Sequence, residues 1–170
     1  GEAWAEPGLL GRLGLKVGWG SRLGADSLGR YLLAAMQSEG IDCSQVEVTR
    51  DAPSGFQFKG RVDDGSDPVV EYLRKGSAAS RMSLAQLDED WLRSARHLHV
   101  TGVFPALSPN CLEVTRRAIR VMRDAGRGLS FDPNLRPALW ASQDLMRDTL
   151  NELAAQCDTV LPGIEEGLIL

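Results

Sequence analysis

From residue 83 onward, amphipathic stretches and short apolar runs alternate three times, and no other feature narrows the fold as much. Leu84 to Ser94, Pro109 to Ala125 and Leu139 to Gln156 read as helices. His97 to Thr101, Gly128 to Asp132 and Thr159 to Leu161 read as the strands that follow them. This alternation predicts right-handed βαβ units and a parallel sheet. Upstream, a weak helix fits Gly8 to Leu13, after Pro7. Leu15 to Ser21 reads as a short buried strand and Leu23-Gly24-Ala25-Asp26 as a turn. Leu28, Tyr31, Leu32, Ala35 and Met36 recur at helical spacing, which predicts an amphipathic helix over Ser27–Ser38. Asp26 or Ser27 suits its N-cap, and Gly40 its stop.

Between these regions the period changes. Val46 to Val48 fits a short strand. Gly55 to Val62 then alternates, with Phe56, Phe58 and Gly60 on one face and Gln57, Lys59 and Arg61 on the other. Asp63-Asp64-Gly65-Ser66 is turn chemistry, and Val69 to Arg74 returns as a second strand. The pair predicts a β-hairpin outside the main sheet, a small flap over about residues 54–75. The final run, Glu165 to Leu170, is apolar with no closing element, and the first residues are loop-like, so the sheet reads as incomplete at both ends.

The 170 residues suit one domain, here a partial one spanning 1–170, with 19 Lys+Arg against 23 Asp+Glu and a net charge of −4. A mildly acidic chain without a basic run argues against nucleic acid as the partner. No apolar run approaches the roughly 18 residues of a membrane helix, so no membrane association is expected. Cys43, Cys111 and Cys157 lie far apart and resemble neither a disulfide framework nor a zinc site. A reducing, cytoplasmic compartment is the expectation.

Ligands of open parallel sheets bind beyond the carboxyl ends of the strands. Three such ends carry Thr101-Gly102-Val103-Phe104-Pro105, Asp132-Pro133-Asn134-Leu135-Arg136-Pro137 and Pro162-Gly163-Ile164-Glu165-Glu166. The second places a carboxylate, an amide and a guanidinium on one short loop. The same residues also suit a plain loop with turn and capping roles. On the flap, Tyr72 and Arg74 lie two apart and point the same way, which suits a hydroxylated, anionic ligand; a solvated hairpin face fits them as well. Gly18 to Gly24, with Asp42 downstream, loosely imitates a dinucleotide-binding loop, although Trp19 is bulky for one. His97 and His99 share a strand face with no third ligand nearby and read as structural. Trp4, Trp19, Trp91 and Trp140 read as packing residues, with Trp140 able to wall a pocket.

Several runs together resemble the ribokinase-like (PfkB) carbohydrate kinases, and among them the 2-keto-3-deoxygluconate kinases. They are Arg12-Leu13-Gly14 through Gly24-Ala25-Asp26-Ser27-Leu28-Gly29, then Val70-Glu71-Tyr72-Leu73-Arg74-Lys75-Gly76-Ser77-Ala78-Ala79-Ser80, Thr101-Gly102-Val103, Phe131 to Trp140 and Leu161-Pro162-Gly163. The resemblance implies an αβα sandwich with a β-sheet lid over the sugar. It also implies ATP-dependent phosphorylation of a sugar acid, 2-keto-3-deoxygluconate, to its 6-phosphate, with ATP and Mg2+ as cofactors. It assigns substrate contacts to Gly1, Phe58, Tyr72, Leu73, Arg74, Val103 and Arg136. Asn134, Leu135 and Arg136 match a segment that approaches the nucleotide, and Glu166 the acidic residue associated with magnesium and phosphate. A homodimer through the lid is a further implication. The sequence departs from the family at Ala5, where a substrate-binding Asn is expected, at Pro7, and at Gly163, which replaces the Asn of Asn-x-x-Glu. It contains no Gly-Ala-Gly-Asp segment, the source of the family's anion hole and catalytic base. No catalytic residue is therefore assigned, and these 170 residues alone are expected to be inactive or nearly so. A kinase for a neutral sugar such as fructose or ribose, or a non-catalytic truncated sugar-binding fragment, stay open as alternatives.

Overall fold

A computed structural model describes residues 8, 10–61, 63 and 70–170. They fall into two compact units, one ending at Arg81 and the other spanning Met82–Leu170.

In the first unit, β1 (Ser21–Gly24) pairs in parallel with β2 (Val46–Thr49), with Leu23 opposite Val48. The helix α1 (Ser27–Ser38) connects them, with the expected bounds and with Asp26 as its cap. The strand itself lies later than predicted. Leu23 is the buried side chain, whereas Leu15 is exposed, so burial selects Ser21–Gly24 and leaves Gly18 with a single bridge to Asp42. That placement removes the dinucleotide-loop alternative, because the segment's last four residues are strand and not a phosphate-cradling turn. Of the predicted apolar stripe on α1, Met36 is fully buried, while Leu28 and Tyr31 are exposed. A separate two-stranded antiparallel sheet, β3 (Phe56–Lys59) and β4 (Val70–Leu73), forms the predicted hairpin. Its tip at 64–66 lies outside the described residues.

The second unit holds the predicted parallel sheet, in the order β5 (His97–Thr101), β6 (Gly128–Asp132), β7 (Thr159–Val160). The first predicted helix splits into a 3-10 turn (Leu84–Gln86) and α2 (Glu89–Ser94). Two competing caps explain the split. Ser83 and Gln86 close on each other, and Asp88 accepts from the Trp91 amide in extended backbone between the two pieces. The helix α3 (Pro109–Asp124) matches expectation. The predicted helix from Leu139 begins instead at Gln143, as α4 (Gln143–Ala154), because Pro137–Leu139 form a 3-10 turn and Ser142 supplies the cap. The terminal apolar run is also a helix, α5 (Ile164–Ile169).

A core of Ile119, Met122, Leu129, Phe131, Met146, Leu150 and Leu153 lies between α3, α4 and β6, each residue at most 1% exposed. Trp91 and Trp140 pack against it. His97 Nε2 and His99 Nδ1 both lie 2.8 Å from Ser130 Oγ, which joins β5 to β6 through side chains as well as backbone.

Candidate active site

The hairpin sorts its side chains by register. Gln57 opposes Tyr72, Phe58 opposes Glu71 and Phe56 opposes Leu73. Opposed residues share a face and neighbours alternate. Gln57 and Tyr72 therefore lie on one face, and Phe56, Phe58, Glu71 and Leu73 on the other. Arg74, just beyond β4, joins the first set. Its guanidinium carbon sits 4.3 Å from the Tyr72 ring centroid, and Nη2 donates to Gln57 Oε1 at 3.3 Å. Stacking on a ring fixes the plane of a guanidinium at little cost to its donors. The arrangement presents a planar cation beside a phenol, a fit for a carboxylate and a hydroxyl. Phe58, named with Tyr72 from the sequence, falls on the opposite face, edge-on to Phe56 at 5.2 Å and 60% exposed. Leu73 shares that face.

In the second unit, the ends of β5 and β6 are locked to one another. The Gly102 amide donates to Asp132 O at 2.8 Å. A side chain at Gly102 would overlap Pro133 O and press on Leu150, so the close crossing of these two strand ends depends on glycine. Val103 follows, its amide donating to Thr101 Oγ1 at 3.3 Å. The loop after β6 then turns sharply. Pro133 is buried, and Asn134 adopts φ 41°, the one left-handed non-glycine among the described residues. The Asn134 amide donates to Asp132 Oδ1 at 3.1 Å, a short Asx turn made by the aspartate, and the left-handed φ is what favours asparagine at 134. Leu135 is buried, and Arg136 donates from Nη1 to the Leu135 carbonyl at 2.8 Å.

Glu166 holds this loop in place. Its Oε1 accepts from the Leu135 amide at 2.7 Å and its Oε2 from the Gly163 amide at 3.0 Å. One carboxylate thus joins the Asp132–Arg136 loop to the turn that opens α5. Burial pushes the Asp132 carboxyl above its ordinary pKa, helped by the nearby charge of Glu166 and opposed by the Asn134 amide, His99 and Arg136.

The sequence-predicted residues therefore divide by unit. Tyr72 and Arg74 share one hairpin face, with Phe58 and Leu73 on the other. Asn134, Leu135, Arg136 and Glu166 converge on one loop, with Val103 at the neighbouring strand end. Gly1 lies outside the described residues. Gln57, Asp26 and Ser54 were missed as members of the hairpin's support; the signal for Asp26 was its place in the Gly24-to-Gly29 run, where it reads only as a cap.

The family model for pfkB family carbohydrate kinases matches residues 9–170. The chain belongs to the PfkB family of carbohydrate kinases. It is 45% identical over 162 residues to the 2-dehydro-3-deoxygluconokinase of Bacillus subtilis (strain 168), covering 95% of this chain and 50% of that protein. The 2-dehydro-3-deoxygluconokinase of Thermoproteus tenax is 34% identical over 137 residues, covering 77% and 41%. Among solved structures, a PfkB protein from Polaromonas sp. JS666 superposes with a TM-score of 0.94 at 62% identity, over 99% of this chain and 56% of that one. The chain thus has the ribokinase-like α/β fold and spans about half the length of the curated relatives it matches. Among the described residues no helix is long and apolar enough to cross a membrane.

Proposed function

We propose that the protein carrying this sequence transfers the γ-phosphoryl of ATP to the terminal hydroxyl of a sugar acid, 2-keto-3-deoxygluconate, and that these residues supply substrate recognition. The observation that carries the reading is Arg74, stacked on Tyr72 and tied to Gln57 on one face of the hairpin. It sits in a chain 45% identical to a kinase named for a sugar acid. Arg74 and Arg136 are the proposed carboxylate-binding residues; an arginine fork matches a carboxylate in two parallel hydrogen bonds. Tyr72 contributes a hydroxyl and a ring edge to the sugar, and Val103 and Gly1 are further proposed contacts; Phe58 and Leu73, on the other face of the hairpin, do not join Tyr72 and Arg74 there.

In the transfer, the sugar oxygen bonds to the γ-phosphorus and the bond to the β–γ bridging oxygen breaks. The hydroxyl proton leaves to a general base, a role assigned to none of the residues named here. ATP would supply the phosphoryl group, and a Mg2+ bound with it would supply charge neutralisation. Asn134, Leu135 and Arg136 are the proposed nucleotide contacts. Each Glu166 oxygen keeps a lone pair after its backbone hydrogen bond, so a hydrated Mg2+ carried by the phosphates is compatible with it. The same reading includes a homodimer through the hairpin, whose Phe58 and Leu73 are exposed, and a cytoplasmic setting.

A coupled assay with ATP and Mg2+ tests the reading on a panel of 2-keto-3-deoxygluconate, fructose and ribose. The sugar acid is expected to give the highest kcat/KM, and Arg136→Ala to lower it about 10- to 100-fold, the loss of a charge-assisted hydrogen bond. Preference for fructose or ribose would assign the neutral-sugar alternative, and binding without turnover the non-catalytic one.

A further inference from the structure

Asp26 does more than a helix cap requires. A cap needs one acceptor, and Asp26 Oδ1 meets that need by accepting from the Gly29 amide at 2.7 Å. Its other oxygen, Oδ2, accepts from the Ser54 amide, also at 2.7 Å, 28 residues downstream and just before β3. Ser54 answers the contact. It is 2% exposed, and its Oγ accepts from the Gly24 amide at 3.0 Å, at the end of β1. The neighbouring Pro53 carbonyl accepts from the Ala78 amide at 2.8 Å, which draws in the other leg of the hairpin beyond β4. Ala52, Ser54, Ser77 and Ala78 are all buried. A side chain at Gly29 would collide with Gly24 O and Ser54 Oγ, so the root has no slack.

Past this root the hairpin has little to hold it. Phe58, Tyr72 and Leu73 are exposed, and a two-stranded ribbon of four-residue strands is marginal by itself. The direction in which Tyr72 and Arg74 point is therefore set where the legs enter. We infer that the Asp26–Ser54 pair is a latch that positions the substrate-reading face of the hairpin, which makes Asp26 a positioning residue for sugar-acid recognition as well as a cap. The inference rests on the proposed reading in one respect, that Tyr72 and Arg74 contact the substrate.

Asp26→Ser separates the two roles. Serine caps α1 about as well as aspartate, but its single oxygen, one bond closer to the backbone, replaces the Gly29 acceptor Oδ1 and not the separate Oδ2 that meets Ser54. In the protein carrying this sequence, the variant should raise KM for 2-keto-3-deoxygluconate about tenfold, the loss of one charge-assisted hydrogen bond, with kcat and KM for ATP within about twofold. Hydrogen exchange should quicken about tenfold at amides of 56–59 and 70–73 by the same loss, with α1 and β5–β6 unchanged. Asp26→Asn, which keeps the Gly29 acceptor, is the milder form and should move both readouts in the same direction if Asp26→Ser does not fold. Unchanged exchange in the hairpin overturns the latch. Faster exchange with both KM values unchanged, or both raised alike, overturns the positioning role. If the unmodified protein does not phosphorylate the sugar acid, the proposed function fails, and the exchange measurement still decides whether the latch exists.

Discussion

The two units secure their arginines by opposite means. Arg74 extends from a hairpin whose side chains are largely exposed, and order reaches it from hydrogen bonds at the hairpin's root. Arg136 follows β6, whose Leu129 and Phe131 are fully buried, and order reaches its loop from packing below and from Glu166 beside it. In both places one carboxylate spends its two oxygens on backbone amides of two different segments, Asp26 in the first unit and Glu166 in the second. The contrast separates stability from recognition. Substitutions in the core of the second unit should unfold it, whereas substitutions on the Tyr72–Arg74 face of the hairpin should change binding and leave folding alone.

The largest effect that tests this division is Phe131→Ala. The ring is fully buried in the core of α3, α4 and β6, and its loss should cost about 3–5 kcal/mol, read by urea denaturation. A much smaller cost would mean that the sheet, and with it the Arg136 loop, is held by something other than packing. Next is Gly102→Ala, where the new methyl overlaps Pro133 O. It should cost about 1–3 kcal/mol by overpacking and weaken sugar-acid binding with it, because the displaced backbone leads directly into Asn134 and Arg136.

Asp26 and Asp132 contribute to the pH dependence of stability with opposite signs. The Ser54 and Gly29 amides hold the Asp26 carboxyl below its ordinary pKa, so its stabilisation is complete above the unfolded value of about 3.9 and is lost as pH falls through the lower folded value. Burial raises Asp132, so its ionisation weakens the fold as pH rises from the unfolded value through the folded one. Urea denaturation from pH 7 down to about pH 2 should therefore show the deficit of Asp26→Asn shrinking in acid. Over the same range Asp132→Asn should lose the gain that wild type makes on acidification. The smallest effect is expected at Phe58→Ser, within about 0.5 kcal/mol of wild type, because the ring is mostly in water and on the hairpin face turned away from Tyr72. A larger loss would show that the Phe56–Phe58 face is covered by a partner, as the proposed homodimer requires.

Much of this was legible in the sequence because period and caps speak locally. The bounds of α1, β5 and β6 were readable from spacing, and the hairpin from alternation around a turn. Two helices were overextended where a second cap, Asp88 or Ser142, restarts the chain inside what reads as one amphipathic run. β1 was placed too early because apolar content alone cannot say whether Leu15 or Leu23 is the buried residue. The site was readable as residue types on loops. Its supports were not, since Asp26 to Ser54 and Glu166 to Leu135 join segments 28 and 31 residues apart through backbone amides, which leave no mark on the sequence. Register, too, is invisible until the strands pair, which is why Phe58 and Tyr72 were grouped together.

Arg74 and Arg136 are each proposed to favour an acid sugar over a neutral one. Calorimetric titration of the protein with 2-keto-3-deoxygluconate and with fructose, for wild type, Arg74→Ala and Arg136→Ala, tests it most directly. Each variant should weaken binding of the sugar acid about tenfold or more and leave fructose unchanged. Equal losses for both sugars, or none for the acid, would contradict it.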